Sequence, residues 1–255
     1  MIDKNGLKAM SARKIKGLFL AKNQKGKFIS SVWIMMVVAL ASTGLLMSDD
    51  LLAGSFQSPQ AKNLSFQPEL LDFGPDGLKG LTDLQKRAVF SDEVVIVSLP
   101  EIIGRDKTLI SAALKFNRKV SDVWLVLSAT ERQNDYLREI EKISLLENGP
   151  DFNRLEFVVK VFGRKVRYTV IHHFQPENHL LWWELDPGAK NDLKELFGFW
   201  RLYPAGQNQT IGRYGSYLRP GFPLPKFISV LIYRESIKST IEKVKNYVEA
   251  SGIKR

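Results

Sequence analysis

The chain has 255 residues, 44% of them hydrophobic and 11% aromatic, which suffices for one good-sized core and excludes a disordered or low-complexity polypeptide. It contains no cysteine, so disulfides, thiolate nucleophiles, Cys-type zinc sites and a lipoprotein-type lipid attachment are excluded. The formal charge of +10 would suit a nucleic-acid partner, but residues 1–27 hold eight Lys or Arg against Asp3 alone, which leaves only +3 for all the rest and argues against nucleic acid.

Residues 1–27 therefore form a basic arm. Residues 28–47, FISSVWIMMVVALASTGLLM, follow it without a single charge. As a helix they would be about 30 Å long at ~1.5 Å per residue, which matches the hydrocarbon thickness of a bilayer. Lys and Arg before this run and Asp49 and Asp50 after it predict a cytoplasmic N-terminus, with the remainder on the periplasmic or outer side. Two readings fit. A retained transmembrane anchor in the inner membrane is one; a signal segment cleaved near Ala39-Leu40-Ala41, with export, is the other. The apolar run continues past Ala41, which favours the anchor. The basic arm sets the topology, and anionic lipid would attract it by roughly 1 kcal/mol per Lys or Arg.

Residues 48–104 read as a tether punctuated by Gly and Pro, with a short helix over 81–89 and a short strand over 94–99. A strand is predicted over 108–116. A short helix follows from Ser121, with Ser121-Asp122 as the N-cap candidate and Val123, Trp124 and Leu127 as its apolar members. Tyr136, Leu137, Ile140 and Ile143 then recur at helical spacing and predict a second short helix. From Leu155 the period changes to two. Strands are predicted over 155–162, 166–174, 179–185, 196–203 and 210–218, joined by short turns into an antiparallel meander. Last comes 227–248, where Ile237, Ile241, Val244 and Val248 recur at steps of four, three and four on one stripe of a long amphipathic helix. Ser251-Gly252 ends it.

This order resembles the START-like helix-grip superfamily, and within it the bacterial polyketide-cyclase/coenzyme-Q-binding-like branch. The resemblance covers residues 105–252. It is carried by Val123-Trp124, by the hairpin over 161–174, and by the phrases LWWELDPG (181–188), GFWRLYP (198–204) and PGFPLP (220–225). It implies an α+β helix-grip: a curved antiparallel β-sheet wrapped around a long C-terminal α-helix, with two short helices after the first strand, and here an N-terminal transmembrane or signal segment in front. The expected organisation is arm 1–27, anchor or signal 28–47, tether 48–104 and ligand-binding domain 105–255. Between sheet and helix the resemblance implies a hydrophobic cavity. It names no ligand, because a fold does not fix a function.

A physical argument agrees with that expectation, since a strongly curved sheet around one helix is not filled along its whole length by side chains. The residues expected on the cavity wall are Tyr168, Val170, His172, Trp183, Trp200 and Tyr214, with Phe227, Leu231 and Ile241 from the helix. Aromatic residues fill cores as readily as they line sites, so ordinary core is the alternative for each. The favoured function is binding or transport of a hydrophobic small molecule such as a lipid or isoprenoid, with that molecule and the membrane as partners. An enzyme of the polyketide cyclase/aromatase type would draw on His172 and Tyr168 for acid–base work. A third reading is an interaction module with a filled core. Glu184 and Asp186 share a strand face about 7 Å apart, but such a pair is more often a solvated edge and a turn. No metal site is expected, because neighbouring His172 and His173 point to opposite faces of a strand. No cofactor is expected either, for the chain has no phosphate loop, G-x-S-x-G or H-E-x-x-H motif.

Overall fold

The computed structural model describes residues 71–99, 109–161, 163–222 and 230–251. Segment 28–47 lies outside them, and among the described residues no helix is long and apolar enough to cross a membrane. The elements run α1 (Asp83–Phe90), β1 (Val95–Leu99), β2 (Leu109–Phe116), α2 (Val120–Ser128), a 3-10 turn (Thr130–Asp135), β3 (Ile140–Asn148), β4 (Phe152–Val161), β5 (Arg164–Gln175), β6 (Leu180–Leu185), β7 (Leu193–Pro204), β8 (Thr210–Pro220) and α3 (Val230–Ala250). The strands form a single antiparallel sheet in the order β1-β2-β8-β7-β6-β5-β4-β3, with α3 packed on its inner face. This is the helix-grip architecture.

Strand parity sorts the side chains. On β5, β7 and β8 the even-numbered residues face inward and on β6 the odd-numbered ones do, among them Val170, Leu181, Trp200 and Tyr214. Odd-numbered Phe199, Tyr203, Ile211 and Tyr217 face outward. The α3 stripe Ile237, Ile241, Val244 and Val248 is buried against Ile110, Leu114, Phe116 and Leu127, at about 1.5–3 kcal/mol per side chain. Polar ties hold the helix at both borders. Toward β2, Lys245 Nζ donates to the Lys115 carbonyl at 2.7 Å and pairs with Glu249, whose carboxylate accepts from the Asn117 backbone at 2.9 Å. Toward β3, Lys243 pairs with Glu139 at 3.1 Å and Tyr247 stacks obliquely on Tyr136 at 4.7 Å.

The outer face is covered as well. Within the segment expected as a tether, Leu71, Phe73, Leu81 and Val89 are buried against outward residues of β2, β7 and β8. Helix α1 begins with a capping box, in which Thr82 Oγ1 accepts from the Gln85 backbone at 3.2 Å and Gln85 Oε1 accepts from the Thr82 backbone at 2.9 Å. Arg213, fully buried on β8, fastens this cover. Its Nη1 donates to the Gly77 carbonyl at 2.9 Å and the Lys79 carbonyl at 3.3 Å, and its guanidinium lies 4.0 Å from the Phe73 ring centroid. Burial lowers its pKa to about 10, so the cation persists at neutral pH. Gly77 sits at φ +76°, where a side chain would be strained and would also stand 2.5 Å from the Tyr203 ring.

Two expectations are corrected. The second short helix, expected through Tyr136, Leu137, Ile140 and Ile143, is instead the end of the 3-10 turn followed by edge strand β3. Register shifts between Ile140 and Lys142 and between Leu145 and Glu147 break the two-residue alternation there, so the apolar spacing imitates a helix. The N-cap of α2 is Lys119 rather than Ser121-Asp122; it makes no side-chain cap bond, and Asp122 lies in the first turn, where its charge suits the helix dipole.

Candidate functional site

Between the inner face of the sheet and α3 lies a cavity of about 80 Å³, partly open to solvent. Tyr168, Val170 and His172 come from β5, Trp183 from β6, Trp200 from β7, Tyr214 from β8 and Ile241 from α3, and all seven lie on its wall. Phe227 falls outside the described residues, as does the side chain of Leu231. Gln133, Tyr136, Tyr168, Trp183 and Leu196 on its wall keep part of their surface accessible.

The wall is a chain of rings. Phe157 stacks on Tyr168 at 5.4 Å between centroids, His172 lies 6.1 Å from Phe157 and 6.3 Å from Trp183, and Tyr214 bridges Trp183 at 5.9 Å and Trp200 at 4.8 Å. The floor depends on Gly198, opposite Trp183 in the β6–β7 register. A Cβ there would overlap the Trp183 indole and stand 2.6 Å from the Gly215 carbonyl oxygen, so only glycine lets the indole lie against the sheet.

Among the described residues that line it, none is Asp, Glu, Lys or Arg. The titratable groups on the wall are held neutral by lack of water. Burial, and secondarily the charge of His173, lowers the His172 pKa to about 3. Burial pushes the Tyr214 hydroxyl up to about 12 and raises that of Tyr168 well above the ordinary phenol value. His172 is only 3% exposed, and its Nδ1 lies 3.0 Å from Asn153 Oδ1. Asn153 Nδ2 in turn donates to Thr130 Oγ1 at 2.8 Å.

The paired carboxylates lie elsewhere. Asp186 accepts from Arg154 Nε and Nη2 at 2.5 Å and from the Gly188 backbone at 2.8 Å, which makes it the anchor of a turn. Glu184 lies 3.4 Å from His173, and His173 stacks on Trp182 at 4.9 Å on the opposite face from His172. Among the described residues no cluster of three or more His, Asp or Glu is placed to hold a metal.

Sequence reasoning passed over several wall residues. Phe157 and Ser216 continue the same inward parity as Tyr168 and Tyr214, and Val244 continues the α3 stripe from Ile241, so the signal for them was present. Gln133 and Tyr136 enter from the 3-10 turn and its C-cap, where no period identifies a face.

No protein-family model matches the sequence, and no curated protein matches it. Solved structures do. The chain is similar to a STAR-related lipid transfer protein from Xanthomonas axonopodis at 12% identity, covering 62% of this chain and 99% of that one with a TM-score of 0.49. It is similar to the Zhui aromatase/cyclase from Streptomyces sp. R1128 at 17% identity, covering 56% and 97% with a TM-score of 0.43. A START superfamily protein from Mycobacterium smegmatis matches at 14% identity, covering 55% and 94% with a TM-score of 0.44. At these identities the likeness is one of fold.

Proposed function

We propose that this protein binds and carries an apolar small molecule, such as a lipid or isoprenoid, in the cavity between sheet and α3. In this reading residues 28–47 hold the domain at the outer side of the inner membrane, or direct its export. The observation that carries the binding reading is the uncharged, ring-lined space itself. Covering some 300 Å² of apolar ligand surface would contribute on the order of 7 kcal/mol before association costs, enough for micromolar affinity without a charged contact. The cavity is partly open, so a long-chain ligand would extend beyond it.

Two alternatives fare less well. A cyclase-type enzyme would use His172 and Tyr168, yet an imidazole with a pKa of about 3 is a weak base at neutral pH, and a phenol raised above its ordinary value is a weak acid. An interaction module with a solid core has no use for the space between Trp183 and α3. Native mass spectrometry of the purified full chain, before and after mild organic extraction, tests the proposal. A bound apolar mass that disappears on extraction is expected. Absence of such a mass, together with unchanged tryptophan emission on adding N-phenyl-1-naphthylamine, would sink it.

A further inference from the structure

One polar group of the cavity, the His172 imidazole, has its sense set from outside it. Asn153 is 5% exposed and Thr130 fully buried, so water does not compete for the bond between them. Because Asn153 Nδ2 donates to Thr130, the amide presents Oδ1 to His172, and a carbonyl oxygen can only accept. His172 therefore carries its proton on Nδ1 and leaves the lone pair of Nε2 as the ring's remaining polar atom on the cavity wall. Three separate elements, the 3-10 turn, β4 and β5, cooperate to hold this one tautomer.

We propose that the cavity selects an uncharged, mainly apolar molecule bearing a hydroxyl or N–H group, which donates to His172 Nε2. This rests on the binding reading above and specifies its ligand class. An apolar molecule without a donor leaves a buried acceptor unpaired, which is the costly half of a hydrogen bond. Among the described wall residues a carboxylate meets no cation, only neutral donors such as Gln133, Tyr168 and Ser216, so the loss of its hydration goes largely uncompensated. Fatty acids and other anions are thus rejected, while alcohols, phenols and quinol-like rings are accepted. Thr130 and Asn153 are positioning residues for His172.

Isothermal titration calorimetry of the full chain in lipid nanodiscs, with empty nanodiscs as blank, tests this with 2-naphthol, 2-methylnaphthalene and 2-naphthoate at pH 7. The expected order is 2-naphthol about tenfold tighter than 2-methylnaphthalene, with 2-naphthoate at least about a hundredfold weaker than the naphthol. In Thr130→Val the Asn153 amide is free to turn over, so the naphthol advantage should fall below about threefold while 2-methylnaphthalene affinity stays unchanged. A purely structural loss would weaken both probes alike. His172→Phe should likewise make naphthol and methylnaphthalene equivalent. Equal binding of those two by the unmodified chain, or tightest binding of the naphthoate, overturns the donor rule while leaving the cavity a binding site. No heat from any of the three overturns the binding reading and this inference together.

Discussion

Strands β7 and β8 are buried on both faces, by opposite means. On the outer face Phe199, Tyr203, Ile211 and Tyr217 meet the cover formed by residues 71–90, with Phe73 stacked on Phe199 at 5.7 Å, while Phe197 stacks on Tyr217 at 5.1 Å. Aromatic rings there fill the space. On the inner face Trp200, Tyr214 and their neighbours leave a void, bounded on its far side by Ile241 and Val244 of α3 and Leu127 of α2. Unfilled space there forfeits packing contacts and so costs stability. The densely packed side offsets that cost, so one face supplies rigidity and the other can stay open. β3 has neither: most of its residues are exposed, as suits an edge.

The largest expected effect tests whether the two faces are independent. Phe73→Ala removes a ring shared by Phe199 and Arg213 and should cost about 3–5 kcal/mol in denaturant unfolding. Affinity for an apolar probe should change less than about twofold in the same protein. Loss of binding in step with stability would mean that the cover shapes the cavity.

Acid sharpens the contrast from the inner side. His172 has a folded pKa of about 3 against 6.5 for the free side chain, so between those values the unfolded chain binds more protons than the folded one. Its contribution is fully present above pH 6.5 and declines as pH falls toward 3, by about 2 kcal/mol between pH 6.5 and 5. Unfolding free energies of the native chain and of His172→Phe, compared across this range, should diverge in slope by that amount. Parallel curves would show that His172 is not the buried neutral group described.

A smaller effect should come from the cavity floor. Gly198→Ala would lift the Trp183 indole off the sheet into the open space, costing about 1–2 kcal/mol and weakening an apolar ligand about tenfold. Tryptophan emission and a binding titration read the two consequences separately. If affinity survives intact, Trp183 does not bound the ligand.

The inner face was legible in the sequence because its evidence is local. A period of two from Leu155 onward and steps of four, three and four through Ile237 to Val248 announce which residues look inward, and seven of the nine expected wall residues stand on the cavity. The outer cover was legible only in part: Leu71 and Phe73 stand out as apolar residues able to dock, but nothing local says where. Gly74, Pro75, Gly77 and Gly80 read as tether, yet Leu71 and Phe73 find partners more than a hundred residues away on β7 and β8. Chain propensity says nothing about such contacts. The set Thr130, Asn153 and His172 escaped similarly, since 23 and 19 residues separate its members. In β3 the local signal was present and misleading, because bulges redistribute the apolar positions.

Arg213 grips the cover segment through the main-chain oxygens of Gly77 and Lys79, and neither acceptor is a side chain. A clasp of that kind recognises the path of the strap and not its lettering. Position 79 could therefore change its side chain without touching the clasp, losing only the exposed pair with Asp72, while any insertion that displaced those two carbonyls would strand a buried cation and unfasten the back of the sheet.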